Sequence, residues 1–197
     1  MRRIAVIVGS ARANSLNRKL AAALEALGAD RFVFDDVRID DFPFFDQDVA
    51  KSPPPAVLRM KTQIVEADGV IFVSPEHNRS ITSLLKNAID WGSRPLLESC
   101  WIGKPGAILG ISPGQTGTAA AQQHLRNILS PQQVILMGKP EMYVQYLEGM
   151  FGESGELRDE ALRKRIVTFL DAFGAWVERV GVKGSVEDIR FLDSERY

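Results

Sequence analysis

The chain has 197 residues, 45% of them hydrophobic and 25% charged, which is typical of one globular domain with a continuous core. Its net charge of −1, with dispersed basic residues, excludes the electropositive surface of a nucleic-acid-binding protein. Because it has one cysteine, two histidines, no signal-peptide pattern and no membrane-spanning apolar run, we expect a cytoplasmic protein with no disulfide, no metal site and no membrane insertion.

The first predicted elements are a strand, a tight loop and a helix. Residues 4–8 form an apolar run that ends at Gly9, and leucines then recur at helical spacing at positions 16, 20, 24 and 27. The N-terminus of such a helix has unpaired N–H groups and a partial positive charge, which suit a phosphate. The loop adds side chains that can bind phosphate oxygens: Ser10, Arg12, Asn14, Ser15 and Asn17.

Two better-known phosphate loops are missing from this stretch. It has neither the G-x-G-x-x-G pattern of dinucleotide sites nor the G-x-x-x-x-G-K-[ST] pattern of nucleoside-triphosphate sites. What remains is a cradle for one terminal phosphate held without metal. The alternative is that Gly9 only ends the strand and Ser15 only caps the helix, and the loop alone does not decide between them.

Strands and helices alternate along the rest of the chain. The pattern predicts strands at residues 31–39, 70–73, 106–111 and 133–137, and helices at residues 56–66, 81–91, 118–129 and 157–180. Thr118 is expected to cap the fourth helix. In the loop of residues 40–55, we expect Phe42, Phe44 and Phe45 to pack on the core or on a neighbouring subunit. Residues 1–181 are predicted to form the domain, followed by a charged tail of residues 182–197.

This alternation predicts an α/β fold, a flavodoxin-like three-layer sandwich with a five-stranded parallel sheet of order 2-1-3-4-5. Ligands bind such sheets beyond the carboxyl ends of the strands, beside strand 1. Three loops of small and polar residues follow strands 1, 3 and 4, at residues 9–15, 74–80 and 112–117. Because those strands are neighbours in this order, the loops converge on one edge, which favours a bound phosphate-bearing ligand over a bare scaffold.

Three motifs stand in register along the chain. They are G-S-x-R-x-x-S-x-N at residues 9–17, P-E-H-N at 75–78 followed by L-K-N-A-I-D-W at 85–91, and G-K-P at 103–105 before the loop of residues 112–117. Together they resemble the NADPH-dependent FMN reductase family, whose members include quinone, chromate and azo-dye reductases. The similarity runs from about residue 3 to residue 180.

The resemblance implies which residues hold FMN. The phosphate would lie against the first loop and the start of its helix, at Ser10, Arg12, Ser15, Leu16 and Asn17. The isoalloxazine ring would be lined, mostly by backbone groups, by Pro75, Glu76, His77 and Asn78, and from the other loop by Ser112, Gly114 and Gly117.

The resemblance also implies an activity. In an FMN-dependent NAD(P)H oxidoreductase, hydride passes from nicotinamide to flavin N5, and two electrons then pass to a small acceptor: a quinone, a flavin, chromate or an azo compound. No catalytic side chain is implied, because flavin N5 is the reactive centre. The family is dimeric or tetrameric, so a homodimer or homotetramer is expected. The alternatives are a flavodoxin-type electron carrier and a non-catalytic FMN-binding protein, although a net charge of −1 gives a docking carrier little steering field.

Two departures from the family pattern concern the second motif. His77 stands where the family commonly has Tyr, and Thr82-Ser83 where it commonly has Pro-Gly. We expect His77 either to alter the wall of the substrate pocket or simply to fill it. Loss of the glycine is expected to restrict the backbone where the following helix begins.

Overall fold

The computed structural model describes residues 1–181, and in them a parallel sheet of six strands lies between two layers of helices. The strands are β1 Arg2–Val8, β2 Phe32–Asp36, β3 Gly69–Val73, β4 Pro105–Ser112, β5 Ile135–Leu136 and β6 Met142–Gln145. The helices are α1 Leu16–Gly28, α2 Pro55–Glu66, α3 Ser83–Gly92, α4 Ala119–Leu129 and α5 Glu160–Val180, with short 3-10 helices at Gln47–Val49 and Leu96–Glu98. The predicted tail of residues 182–197 lies outside the described residues.

The sheet has the predicted flavodoxin-like order, β2-β1-β3-β4-β5, and every pairing is parallel. The fifth position differs from the prediction of one strand at residues 133–137, because two short strands share it. β5 pairs with the start of β4 and β6 pairs with its end. Gly138 and Pro140 separate the two, and Pro140 has no N–H with which to continue a ladder.

Apolar burial on both faces of the sheet holds the layers together. All five residues of β3 are buried, as is usual for a central parallel strand. One core cluster lies under α1 and α5, and the other lies under α2, α3 and α4. Among residues 1–181 no helix combines the length and the apolar content needed to cross a bilayer.

Polar caps set several helix boundaries that the apolar pattern misplaced. α3 begins at Ser83 rather than at residue 81, because Thr82 accepts the Leu85 N–H at its N-cap. α5 begins at Glu160 rather than at residue 157, because Asp159 caps it. Thr118 occupies the N-cap position of α4, as predicted, but its side chain makes no capping bond to the helix backbone, since its hydroxyl accepts a hydrogen bond from the Gln122 amide at 2.8 Å.

The aromatic loop is fastened to α3. Phe42 and Phe45 pack against the core, as expected, whereas Phe44 is 80% exposed. The buried Asn87 amide holds this loop by accepting from the Phe45 N–H at 2.7 Å and donating to the Pro43 carbonyl at 2.9 Å. The position of the loop is therefore set within one chain.

Gly110, in the middle of β4, leaves no room for a side chain. A Cβ there would clash with the Ser74 carbonyl and would lie 2.6 Å from Thr118 Oγ1. We expect Gly110→Ala to lower the free energy of unfolding by about 3 kcal/mol, because the clashing backbone cannot move aside. Urea denaturation measures this. Gly138→Ala is the control, since its Cβ would meet nothing within 4 Å, and equal effects of the two variants would contradict the packing described.

Candidate functional site

Three loops lie side by side at the carboxyl edge of the sheet. Backbone hydrogen bonds continue beyond the strands, from Gly9 N–H to the Val73 carbonyl and from Ser74 N–H to the Leu109 carbonyl, each at 2.9 Å. The predicted convergence of the loops at residues 9–15, 74–80 and 112–117 is thus present.

The loops border two adjoining clefts, of about 300 and 460 Å³. The first cleft is lined by nine of the residues assigned from the sequence: Ser10, Arg12, Ser15, Leu16, Asn17, Pro75, Glu76, His77 and Ser112. The second cleft is lined by Glu76, Asn78, Ser112, Gly114 and Gly117. Every residue assigned to the cofactor from the sequence therefore lines one cleft or the other, and Glu76 and Ser112 line both.

The first cleft contains the N-terminus of α1. Ser15 is its N-cap, and Ser15 Oγ accepts the N–H groups of Asn17 and Arg18 at 3.2 and 3.4 Å, which leaves its own hydrogen free to donate. The first turn of this helix carries no acidic residue. Within residues 1–181 the Arg12 guanidinium makes no hydrogen bond or ion pair, and it lines the same cleft. This end of the cleft is therefore electropositive and suits an anion.

Asn17 joins the first loop to the third. Its amide donates to the Ile111 carbonyl at 2.9 Å and accepts the Ile111 N–H at 3.1 Å, and the residue is only 3% exposed. This pairing leaves at most one amide hydrogen for a ligand. The side chain implied to bind phosphate thus has a structural role that the motif does not reveal.

The second loop is a tight hairpin turn. His77 and Ser80 exchange two backbone hydrogen bonds of 2.9 Å, and Asn78 and Arg79 between them have φ of 51° and 65°. Two successive residues of positive φ form the compact turn that commonly joins antiparallel strands. The turn leaves the His77 and Asn78 side chains exposed at the clefts.

The third loop borders the second cleft and is held in shape by hydrogen bonds of its own glycines. Gly114 N–H donates to Ser112 Oγ at 3.0 Å, and Gly117 N–H donates to the Gly114 carbonyl at 2.9 Å. Gly117 has φ of 58°, and a Cβ on it would lie 2.9 Å from Val144 N. Glycine is therefore required there, because the loop packs directly on the backbone of β6.

Thr82, the first of the two residues that stand where the family pattern commonly has Pro-Gly, joins α3 to the first loop. Its hydroxyl donates to the Gly9 carbonyl at 2.9 Å and accepts the Leu85 N–H at 3.2 Å, which ties α3 to the first loop. Ser83 is the exposed first residue of an ordinary helix. The helical backbone at this position accepts a residue other than glycine.

Tyr146 is a site residue that the sequence patterns missed. It follows β6, its N–H donates to the Ser112 carbonyl at 2.9 Å, and it lines the first cleft. The available signal was the period-two residue pattern of Met142–Gln145, Met-Tyr-Val-Gln, which is short and follows a proline.

Cys100 lies away from both clefts. It is 2% exposed, and burial raises the pKa of its thiol to about 12. A neutral buried thiol is a poor nucleophile, so Cys100 serves the packing of the core rather than the chemistry of the site.

Comparison with known proteins shows which proteins this chain is similar to. Residues 2–148 match the family model "NADPH-dependent FMN reductase". A 2-hydroxy-1,4-benzoquinone reductase from a Burkholderia species is 46% identical over 175 residues, 89% of this chain and 96% of the relative. An NAD(P)H-dependent FMN reductase of Pseudomonas aeruginosa is 42% identical, over 88% of this chain and 94% of the relative. The solved structure of the Paracoccus denitrificans flavoenzyme FerB, an NAD(P)H:(acceptor) oxidoreductase, has a TM-score of 0.88 and 40% identity, covering 92% of this chain and all of that one.

The amide of Asn17 can be tested by Asn17→Asp. A carboxylate would still accept the Ile111 N–H but would face the Ile111 carbonyl without a hydrogen to donate. We expect the free energy of unfolding to fall by about 3 kcal/mol, since a buried charge and a carbonyl are left unpaired. Urea denaturation checks this, with the exposed Asn14→Asp as matched control. Similar stability of the two variants would show that the buried pairing with Ile111 is unimportant.

Proposed function

Because the chain belongs to the NADPH-dependent FMN reductase family, we propose that it is an FMN-dependent NAD(P)H oxidoreductase acting on a quinone or a similar small acceptor. Family membership confirms the resemblance of the three motifs and, with it, an oxidoreductase that uses FMN with NADPH or NADH. The path of the electrons and the choice among quinone, flavin, chromate and azo acceptors belong to the proposal.

FMN fits the two clefts by charge and by shape. The carrying observation is the open N-terminus of α1: the Ser15 hydroxyl lines the same cleft as the Arg12 guanidinium, which has no partner among residues 1–181. A terminal phosphate would be held there with Ser10, without a metal. The ring would then lie toward the second cleft, against the glycine-rich backbone of residues 112–117.

The protein's own part in the reaction is to bind FMN and to orient its ring. When bound, FMN supplies the two-electron chemistry, hydride entering from nicotinamide at N5 and two electrons leaving to the acceptor. The third loop would lie against the flat ring, and the exposed His77 and Asn78 would form the wall beside it. The chemistry requires no general base from the chain.

Absorption spectroscopy and turnover test the proposal directly. We expect the purified protein to be yellow, to be bleached by NADPH or NADH, and to oxidise the nucleotide steadily when a quinone is added. Bleaching without quinone-stimulated turnover would favour a flavodoxin-type carrier. Protein that is colourless and takes up no added FMN would favour a non-catalytic module, and either result would overturn the proposal.

Assembly and location complete the proposal. We infer a homodimer or homotetramer in the cytoplasm, with a small-molecule acceptor and no nucleic-acid partner. The support is the family resemblance together with a net charge of −1. Light scattering of the purified protein distinguishes these assemblies from a monomer.

Ser15→Asp tests the phosphate position. Aspartate is a good N-cap, so the fold is kept, but its carboxylate would face the phosphate and weaken FMN binding by about 100-fold. Ser15→Asn is the matched control, because it also caps the helix and carries no charge. Titration of the flavin-free protein with FMN and with riboflavin measures the effect. Riboflavin has no phosphate, so equal losses for the two ligands, or no loss at all, would reject this position.

His77→Tyr tests the wall of the acceptor site. The backbone N–H and carbonyl of His77 are already paired with Ser80, so a new side chain leaves the turn intact. We expect the ratio of kcat/KM between a quinone and an azo dye to change by about fivefold or more, while the Kd for FMN stays within about twofold. Loss of flavin with an unchanged acceptor ranking would show that His77 belongs to the cofactor wall instead.

A further inference from the structure

The N-terminus of α4 is capped by a residue from another loop. Thr118 occupies the N-cap position, but its hydroxyl is bonded to Gln122. The third N–H of the helix, that of Ala121, instead donates to Glu76 Oε2 at 3.1 Å. Glu76 Oε1 lies 3.5 Å from Arg79 Nη1, and the Glu76 side chain is only 9% exposed. A carboxylate from the second loop thus occupies the place that a local cap usually fills.

A second contact joins the same turn to the same helix. Ser80 Oγ and His124 Nδ1 lie 2.7 Å apart and form a hydrogen bond. Glu76 and Ser80 stand at the two ends of the hairpin turn, and Ala121 and His124 lie one turn apart along α4. The second loop is therefore held against α4, which begins directly after the third loop.

The hydrogen bond between Glu76 and Ala121 lies beside the candidate site. Glu76 lines both clefts, at the point where they meet. The carboxylate of Glu76 occupies the positive N-terminus of α4. The N-terminus of α1, whose first turn has no acidic residue, remains open to an anion.

We propose that Glu76 is a positioning residue for the flavin ring: its bond to the Ala121 N–H fixes the separation of the second and third loops, between which the ring lies. This rests on the proposed function, because it takes the ring to lie in the second cleft. Glu76 acts through the two loops and transfers no proton. Since the bond joins the second loop to α4 and involves none of the groups proposed to hold the phosphate, its loss weakens the binding of any ligand with this ring, with or without a phosphate.

Three variants test the proposal on the flavin-free full chain, titrated with FMN and with riboflavin. Glu76→Ala removes the cap, and we expect it to weaken both ligands by the same factor of about tenfold, the value of one hydrogen bond. Glu76→Gln keeps an oxygen acceptor for Ala121 and is expected to stay within about threefold of the unaltered protein. Asp159→Ala is the matched control, since Asp159 accepts the third N–H of α5, that of Leu162, at 2.6 Å and lines neither cleft.

We expect Asp159→Ala to lose stability in urea as Glu76→Ala does, yet to bind both flavins normally. Glu76→Ala that binds both flavins normally would overturn the proposal, because the loops would then keep their separation without the bond. A loss confined to FMN would place Glu76 at the phosphate, and a Glu76→Gln as weak as Glu76→Ala would assign the effect to charge. Failure of the unaltered chain to bind FMN would instead refute the proposed function.

Discussion

Parallel pairing of β1, β3 and β4 is the constraint on which the site depends. The pairing brings the ends of three strands to one edge, and backbone bonds from Gly9 and Ser74 carry it into the loops. Residues far apart in the chain, such as Asn17 and Ile111, can then bond directly. Both clefts are bounded by these loops, so the shape of the site follows from the register of the sheet.

The two helix N-termini beside the clefts differ in the partial charge that they offer a ligand. The N-terminus of α1 has a serine cap and no acidic residue in its first turn, and Arg12, which has no partner within residues 1–181, lines the same cleft. The N-terminus of α4 already holds the carboxylate of Glu76. Partial positive charge is thus available at one helix end and neutralised at the other. A ligand with a charged tail and a flat neutral head is matched by this layout, whichever electron acceptor follows.

The sequence predicted the sheet order and the residues around the clefts because local patterns carry both. Apolar runs mark buried strands, and small or polar residues mark the loops that follow them. Contacts between distant side chains were not predictable in this way. The amide of Asn17 was assigned to a ligand, and its pairing with Ile111 was not foreseen. Thr118 is at the N-cap of α4 as predicted, but the side-chain bond that caps the helix comes from Glu76. β6 and Tyr146 were missed because a four-residue strand after a proline carries too little periodicity.

The divided fifth position of the sheet leaves this edge poorly suited to pairing with a strand of another molecule. An unbroken edge strand offers a row of unpaired N–H and carbonyl groups on which another chain can form further sheet. Here β5 has two residues and β6 has four, with Gly138 and Pro140 between them. Neither piece is long enough to template a foreign strand, so this edge is a poorer template for intermolecular sheet than one unbroken strand would be.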